Sequence, residues 1–422
     1  GPCYQHPGAR RDRQRFVAAT VDHFRNHPAL QMWDVWNEPE LCFPQREPDL
    51  ATMVCYCGHC RAGFLAWLER KYDRLDRLNA VWGRCYESWD QVELPRGTGT
   101  VTDFVDWREF HLDTLAGEAE WRLQLVRDRD PAHGRYLHVV PNNWFSAVTC
   151  ADDFAMAEPC EVFAATMAGG ASGCLHTLSA GRGKLCYNVE SHINYGSTDL
   201  HQQPVDLPRL AADLLPQVGL GVKGFLFWQY RPEVHGLEST AWGLVRPDGG
   251  PRPVTRAVRA FWAALRPHAA ALRQAFPLPA AAGVWRSRQN EIFHFCAQGN
   301  VRAHNAAIEA WIDALYWDSI PCRLVSGHML AAGQLDDLRL LVMPSCYHLT
   351  QPEADQLDAW VRAGGGLVCE AHLAGYNGTT GRHSRTLPGA GLAQAWGFVE
   401  TDSTAACHLR LDAGQPATVA DQ

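Results

Sequence analysis

Two glutamates each follow a short apolar segment and precede a polar or aromatic loop. Glu38 follows the run 29–36, and Glu190 follows the run 184–189. Two carboxyl groups that face each other across a cleft can divide nucleophilic and acid/base work between them. At a separation of about 5–5.5 Å, such a pair suits hydrolysis of a glycosidic bond with retention of configuration. The pattern predicts Glu38 as acid/base and Glu190 as nucleophile, and the alternative for Glu38 alone is an ordinary loop acid.

Residues beside these glutamates, and at the end of a later apolar run, are suited to binding a sugar. Asn37 offers a donor to a ring hydroxyl, a contact that aids catalysis when it strengthens in the transition state. Trp228 lies at the end of the run 224–229, and Glu238 and Trp242 share the loop after it. We predict Asn37, Trp228 and Glu238 as substrate-binding residues. The alternatives are a buried core tryptophan and a surface acid.

Four cysteines follow the first glutamate at short spacing, namely Cys42, Cys55, Cys57 and Cys60. Thiolates at such spacing can converge tetrahedrally on Zn²⁺, and four protein ligands would make the ion structural. A disulfide is disfavoured in a reducing compartment, and free thiols leave the clustering unexplained. His59 could replace one of the cysteines. The pattern predicts a structural zinc site that holds the loop carrying Glu38.

The elements that must position these residues alternate along the first two thirds of the chain. Strands are predicted near residues 30, 136, 161, 185 and 225, with helices over 11–26, 107–130, 206–217 and 253–265. Strands that alternate with helices form a parallel sheet whose site lies at the carboxyl ends of the strands. Five βα units fall short of the eight in a closed (β/α)8 barrel. We expect residues 1–276 to form a partial barrel that lacks roughly three upstream units.

A linker near 277–282 leads into a second α/β segment. Helices are predicted over 301–317 and 352–363, and strands over 322–325, 338–343 and 366–369. This alternation indicates a doubly wound, flavodoxin-like sheet over residues 277–400. Because the chain has neither a glycine-rich dinucleotide fingerprint nor a phosphate-binding loop, we expect no organic cofactor. Residues 401–422 remain unassigned and are expected to begin a third segment.

The composition excludes several classes of partner. The net charge is −8 and no long basic run occurs, which argues against nucleic acid or an anionic membrane surface. No apolar stretch is long enough to cross a bilayer, and the first residues lack the apolar core of a secretory signal. Most of the 15 cysteines lie in apolar, strand-like segments. Buried reduced thiols favour the cytoplasm.

Several of these segments resemble glycoside hydrolase family 42, whose members are β-galactosidases with a four-cysteine zinc site. The resemblance is carried by WDVWNEPE, by C-x12-CYCGHC followed by FLAWLERKYDRLDRLNAVWG, and by LCYNVESHINYG and GFLFWQYRPEVHGLESTAWGLVRPDG. It implies a (β/α)8 barrel, a flavodoxin-like domain used in trimerisation, and a small β domain after it. By motif position, it implies the same roles for Asn37, Glu38, Glu190, Trp228 and Glu238.

The sequence departs from the family in three ways. The first three barrel strands, one of which carries an Arg of the sugar subsite, have no counterpart, and the C-terminal β domain is missing or barely begun. Ala241 stands where the family has a His. These departures leave three hypotheses open: a retaining β-galactosidase, an inactive carbohydrate-binding remnant, and a retaining glycosidase for mannosides, fucosides or arabinopyranosides.

Overall fold

The computed structural model describes residues 3–42, 50, 53–140, 146–167, 170–192, 205–236, 239, 242–402, 409–410 and 418–419. The strands of the first sheet are β1 (Met32–Asn37), β2 (Gly134–Val139), β3 (Val162–Ala165), β4 (Leu185–Ser191) and β5 (Gly224–Phe227). The helices before and between them are α1 (Pro7–Phe24), α2 (Gly58–Tyr72), α3 (Leu75–Trp82), α4 (Val101–Arg129), α5 (Ser146–Thr149), α6 (Asp153–Ala157), α7 (Gly170–Ala180) and α8 (Leu207–Leu220). Two further helices, α9 (Pro253–Leu265) and α10 (Ala269–Gln274), follow β5.

The first sheet is a parallel half-barrel in the order β1-β2-β3-β4-β5. The inner strands β2, β3 and β4 are largely buried on both faces, whereas the edge strands β1 and β5 are partly exposed. Successive side chains alternate between the two faces. Tyr136, Val162 and Ala164 form a cluster on one face, whereas Leu137 and Phe163 join the large core under the helices. The prediction of five βα units in a partial barrel is therefore confirmed.

Helix α1 is fastened to α4 through one buried carboxylate. Glu118 is 2% exposed, and its Oε1 accepts from Arg10 Nη1 at 2.8 Å and from Arg13 Nη2 at 3.2 Å. Arg122 reaches the other oxygen of Glu118 at 3.5 Å. Burial of a carboxylate is costly unless cations compensate it, so these contacts specify where α1 lies. They also bring the residues just before α1 against α2.

The second sheet follows the order β10-β8-β6-β7 and is parallel throughout. Its strands are β6 (Ala282–Arg286), β7 (Cys322–Ser326), β8 (Leu340–Met343) and β10 (Gly366–Cys369), with the short strand β9 (His348–Leu349) lying outside it. Its helices are α11 (Arg288–Gln298), α12 (Arg302–Trp317), α13 (Gly327–Ala331) and α14 (Gln351–Arg362). Numbered within this sheet, the order is 2-1-3-4, which is the flavodoxin-like order. The predicted fold class is confirmed here as well.

The central strand of this sheet, β6, was not predicted, because its first residues were interpreted as the end of a linker. Ala282 and Gly283 are poor strand formers. The space around Gly283 in the middle of the sheet is nevertheless crowded. A Cβ on Gly283 would lie 2.7 Å from Leu338 Cδ1 and 2.9 Å from Val325 Cγ2. The small residues therefore allow the neighbouring side chains to close over the middle of the sheet.

The remaining described elements are short: β11 (Tyr376–Asn377), β12 (Arg382–His383), α15 (Leu392–Trp396), β13 (Leu409–Arg410) and β14 (Thr418–Val419). Buried polar contacts join the two main sheets. His176 on α7 contacts Asp153 at 2.6 Å and Arg286 at 3.2 Å, and the Leu324 N–H donates to Ser179 Oγ at 2.8 Å. Among the described helices, none is both long and apolar enough to cross a membrane.

Candidate active site

Glu38 leaves the sheet at the carboxyl end of β1, where the β1–β2 register shifts between Asp34 and Asn37. Its backbone has a φ of 47°, in the left-handed region that non-glycine residues rarely adopt. Its N–H donates to the His138 carbonyl on β2 at 2.7 Å. Irregular pairing and unusual backbone conformations are common beside active sites, where they redirect a side chain. The structure thus holds Glu38 in a constrained conformation at the strand end.

Glu190 lies at the corresponding end of β4, beside a second register shift between Asn188 and Ser191. Its side chain is 15% exposed. Its Oε1 lies 2.9 Å from His192 Nε2, and its Oε2 lies 3.4 Å from His138 Nε2. Both oxygens of this carboxylate are therefore next to an imidazole nitrogen.

His138 connects the two predicted catalytic strand ends. It is 3% exposed, its Nε2 lies 2.7 Å from Thr166 Oγ1, and its Nδ1 lies 3.6 Å from Asp34 Oδ2 on β1. Its carbonyl accepts from Glu38, and its ring contacts Glu190. Through this one residue, the structure brings Glu38 and Glu190 to the same edge of the sheet.

The other predicted site residues fall into two groups. Asn37 is exposed and lies opposite His138 in the β1–β2 register. The Trp228 backbone N–H donates to the Ser191 carbonyl at 3.3 Å. Both therefore lie at the same sheet edge as the two glutamates. Glu238 lies outside the described residues. Trp242, which shares that loop, is described; its indole stacks on His192 with ring centroids 4.7 Å apart, so one face of the indole contacts protein.

His138, His192, Asp34 and Thr166 were not predicted as site residues. Each is a polar residue in, or directly after, a largely apolar strand of the half-barrel. Buried polar side chains are normally hydrogen-bonded, so such interruptions indicate partners on neighbouring strands. That signal could have pointed to His138, although its partners lie on three other strands and local spacing does not name them.

Glu40, two residues beyond the predicted acid/base, is a partly buried carboxyl that was also missed. Its backbone follows Pro39, and the next N–H, that of Leu41, donates to the Thr149 carbonyl at 2.8 Å. Burial raises the pKa of Glu40 to about 8, with further contributions from the nearby carboxylates of Glu38 and Asp153. Glu40 is therefore largely protonated at neutral pH.

We predict that Glu40→Gln makes stability less dependent on pH. Because the pKa of Glu40 is higher in the folded than in the unfolded state, the folded state binds the extra proton between about pH 4.5 and 8. The carboxyl therefore loses stabilising effect as the pH rises through this window, by at most about 1.4 kcal/mol per pH unit and less with solvent screening. Urea unfolding from pH 5 to 8 should show a shallower decline in the free energy of unfolding for the variant.

The matched control for this prediction is Glu120→Gln, which removes an exposed carboxylate on α4. It changes the net charge equally but should leave the pH dependence unaltered. Identical pH slopes for the Glu40 variant and the parent protein would contradict the assigned environment of Glu40.

A cluster of four thiols lies at the amino end of α2. The Sγ atoms of Cys3, Cys55, Cys57 and Cys60 all lie within 4.8 Å of one another. The Cys60 N–H points at Cys57 Sγ at 3.5 Å, so Cys57 caps the helix that begins at Gly58. The Cys3–Cys60 sulfur separation of 3.4 Å is far longer than a disulfide bond. This group could hold a metal ion.

The cluster differs by one member from the set predicted from sequence, because Cys3 lies where Cys42 was expected. The docking of α1 on Glu118 carries Cys3 to α2. By contrast, the Leu41–Thr149 hydrogen bond ties the chain around Cys42 to α5, and Cys42 has Arg108 and Val54 as its hydrogen-bonding neighbours. His59 is not in the group either; its ring packs edge-on against His6.

The thiols of the cluster differ in how easily they ionise. Burial opposes ionisation of Cys57, but a hydrogen bond from the Cys60 backbone N–H and hydrogen bonding with the Cys3 and Cys55 thiols prevail and lower its pKa to about 7. Burial raises the pKa of Cys3 to about 11 and also raises the pKa of Cys60. Thiolates, not thiols, ligate metals, so a cation would have to displace protons from the more buried members.

The parallel half-barrel, with two glutamates at its carboxyl edge, places the chain in the (β/α)8-barrel class of folds. Residues 2–167 match the sequence family glycoside hydrolase family 42, described as β-galactosidase. Residues 2–167 of this chain are therefore similar in sequence to that family.

Two curated relatives illustrate the extent of the sequence similarity. The β-galactosidase bgaB of Geobacillus kaustophilus is 29% identical over 137 residues, which are 31% of this chain and 19% of the relative. A β-galactosidase of Thermus thermophilus is 26% identical over 164 residues, which are 37% of this chain and 23% of the relative. These alignments thus span about a fifth of the curated relatives' length.

Solved structures share the fold over nearly the whole chain. The β-galactosidase of Bacillus circulans sp. alkalophilus superposes with a TM-score of 0.81 at 17% identity, covering 97% of this chain and 61% of that one. A family 42 exo-carrageenase from Bacteroides ovatus superposes with a TM-score of 0.71 at 13% identity, covering 90% of this chain and 55% of that one. The superpositions establish a common fold; identities this low establish nothing beyond it.

Proposed function

We propose that this chain is the catalytic part of a retaining exo-glycoside hydrolase that acts on β-galactosides. One observation supports the proposal above the others: the His138 ring contacts the Glu190 carboxylate, and the His138 carbonyl accepts from the backbone N–H of Glu38, so the two glutamates start from the same edge of the sheet. A nucleophile and an acid/base on opposite sides of a sugar ring are what retaining hydrolysis requires. The family relationship supports the same reaction class.

In the proposed first step, one oxygen of Glu190 bonds to the anomeric carbon while the bond to the leaving oxygen breaks. Glu38 gives its proton to that oxygen, and a glycosyl ester forms on Glu190. In the second step, Glu38 as a carboxylate takes a proton from water. The hydroxide oxygen bonds to the anomeric carbon, and Glu190 leaves as a carboxylate. Two inversions give net retention.

Substrate contacts are assigned to Asn37, Trp228 and Glu238 as part of this proposal. The exposure of Asn37 and the position of Trp228 at the same sheet edge support the first two. Glu238 rests on its motif alone. Because Ala241 stands where the family resemblance implies a His, a related glycone such as mannose, fucose or arabinopyranose is the second candidate.

We further propose that Cys3, Cys55, Cys57 and Cys60 hold a structural zinc ion. A tetrahedral site with zinc–sulfur bonds of about 2.3 Å has sulfurs about 3.8 Å apart. The Cys3–Cys60 and Cys3–Cys57 sulfur separations of 3.4 and 3.5 Å are close to that value. Four thiolates would complete the coordination, so the ion would support the fold without taking part in the reaction.

We also propose a cellular location, domain bounds and an oligomeric state for the chain. Free thiols among the described cysteines support a cytoplasmic location, where disulfides rarely form. We place the partial barrel at residues 1–276 and the flavodoxin-like domain at 277–400, with 401–422 beginning another segment. A homotrimer that uses the flavodoxin-like domain is what the family resemblance implies.

The test is hydrolysis of 4-nitrophenyl glycosides by the 422-residue chain. We expect the β-galactoside to be the best substrate, with kcat/KM at least about 10-fold above the β-mannoside, β-fucoside and α-arabinopyranoside. NMR of the first-formed sugar should show the β-anomer. A different preferred glycone would favour the second candidate, the α-anomer would exclude double displacement, and hydrolysis of none would favour a carbohydrate-binding remnant.

A further inference from the structure

The Glu190 carboxylate lies between two imidazoles that approach from different elements. His192, directly after β4, hydrogen-bonds Oε1 at 2.9 Å. His138, on β2 and two strands away in the sheet, lies 3.4 Å from Oε2. Each oxygen of Glu190 therefore has its own imidazole neighbour. A nucleophilic carboxylate needs such fixed orientation, because small misplacements of a reacting atom cost large factors in rate.

Both imidazoles are themselves held by other residues. His192 stacks on the Trp242 indole with an interplanar angle of 21°. His138 is almost completely buried, and its Nε2 contacts Thr166 Oγ1 at 2.7 Å while its Nδ1 faces Asp34 at 3.6 Å. Groups whose own orientation is determined by neighbours can in turn position a reacting group. His138 and His192 thus contact Glu190 directly, and Trp242, Thr166 and Asp34 in turn hold the two imidazoles.

We propose that His138 and His192 are positioning residues that hold the two oxygens of Glu190 in place for covalent catalysis. This inference rests on the proposed role of Glu190 as nucleophile. The His192 N–H donates to Oε1, and the His138 ring restrains Oε2 from its position between Glu190 and Asp34. Donors to a carboxylate stabilise its charged form.

The two chemical steps should depend on the imidazoles differently. In the first step, Glu190 loses its negative charge as it bonds to the anomeric carbon, so stabilising the carboxylate gives little electrostatic gain. In the second step, the bond from Glu190 to the anomeric carbon breaks and the electron pair returns to the carboxylate. The imidazoles stabilise that developing charge. Their loss should therefore slow breakdown of the glycosyl ester more than its formation.

The kinetic test uses 2,4-dinitrophenyl β-galactoside, whose good leaving group makes ester formation fast. For His192→Ala and His138→Ala, we expect kcat to fall by about 10²-fold. KM should fall with it, because the covalent intermediate accumulates. His192→Asn and His138→Gln keep an N–H donor and should recover part of the loss. His268→Ala, at an exposed histidine after α9, should match the parent enzyme. A rise in KM with unchanged kcat would overturn the inference.

A second test needs no activity. The ¹⁵N resonances of the His138 and His192 rings, recorded in the parent protein and in Glu190→Gln, should both shift when the carboxylate is replaced. Buried His111, whose ring nitrogens have no hydrogen-bond partner in the described structure, should not respond. Unchanged His138 and His192 signals would reject the arrangement. If the parent hydrolyses no glycoside while these signals shift, the proposed function fails and the contact of both imidazoles with Glu190 stands.

Discussion

Replacing Glu190 by glycine is expected to reduce hydrolysis of 4-nitrophenyl β-galactoside by roughly 10³- to 10⁶-fold, because no group remains to form the glycosyl ester. The substitution leaves space beside the anomeric carbon. Sodium azide should enter it, attack that carbon, and restore release of nitrophenol. The product should be a glycosyl azide of inverted configuration, identified by NMR, since only one displacement occurs.

Glu38→Gly should give the complementary result. With an activated aryl glycoside, the ester on Glu190 still forms, but general-base activation of water is lost. Azide needs no such base, so it should restore turnover and give a glycosyl azide of retained configuration. The control is Glu120→Gln, which should match the parent enzyme. Exchange of the two stereochemical outcomes would reverse the roles of Glu38 and Glu190, and absence of rescue in both would contradict double displacement.

The second large effect concerns the cysteine cluster. We expect about one zinc ion per chain by elemental analysis, and Cys57→Ser and Cys3→Ser should each lose it. Structural zinc contributes folding free energy of about 10 kcal/mol in small zinc-binding peptides. A loss of even a few kcal/mol here should lower the midpoint of thermal unfolding by roughly 10 °C. Chelation of the parent protein should lower it similarly.

Cys42→Ser provides the matched control for these variants. Cys42 is close to the cluster in sequence, but the cluster of four sulfurs does not include it. The variant should therefore keep its zinc and its unfolding midpoint. Zinc retained by Cys3→Ser but lost from Cys42→Ser would support the set read from sequence. A metal-free parent protein with undiminished stability would exclude the zinc site.

Local sequence patterns were sufficient to predict the five strands of the half-barrel and to place Glu38 and Glu190 at the ends of two of them. Each strand of the half-barrel is a short apolar run, and Glu38 directly follows one such run while Glu190 lies near the end of another. The exception is β6, where Ala282 and Gly283 carry no apolar periodicity. There the strand is specified by the packing of Leu338 and Val325 over a position that only glycine fits.

The sequence by itself determined the five strands of the half-barrel, the long helices α1, α4, α8, α9, α12 and α14, and three of the four clustered cysteines, because these features depend on neighbours a few residues apart. Only the tertiary structure decided the fourth cysteine and the imidazoles around Glu190. Cys3 reaches Cys60 because α1 docks on the buried Glu118, and His138 meets Glu190 because β2 and β4 lie two strands apart in one sheet. Such contacts join residues distant in the chain. They arise from the requirement to compensate buried charge and to pair whole strands, which no local spacing encodes.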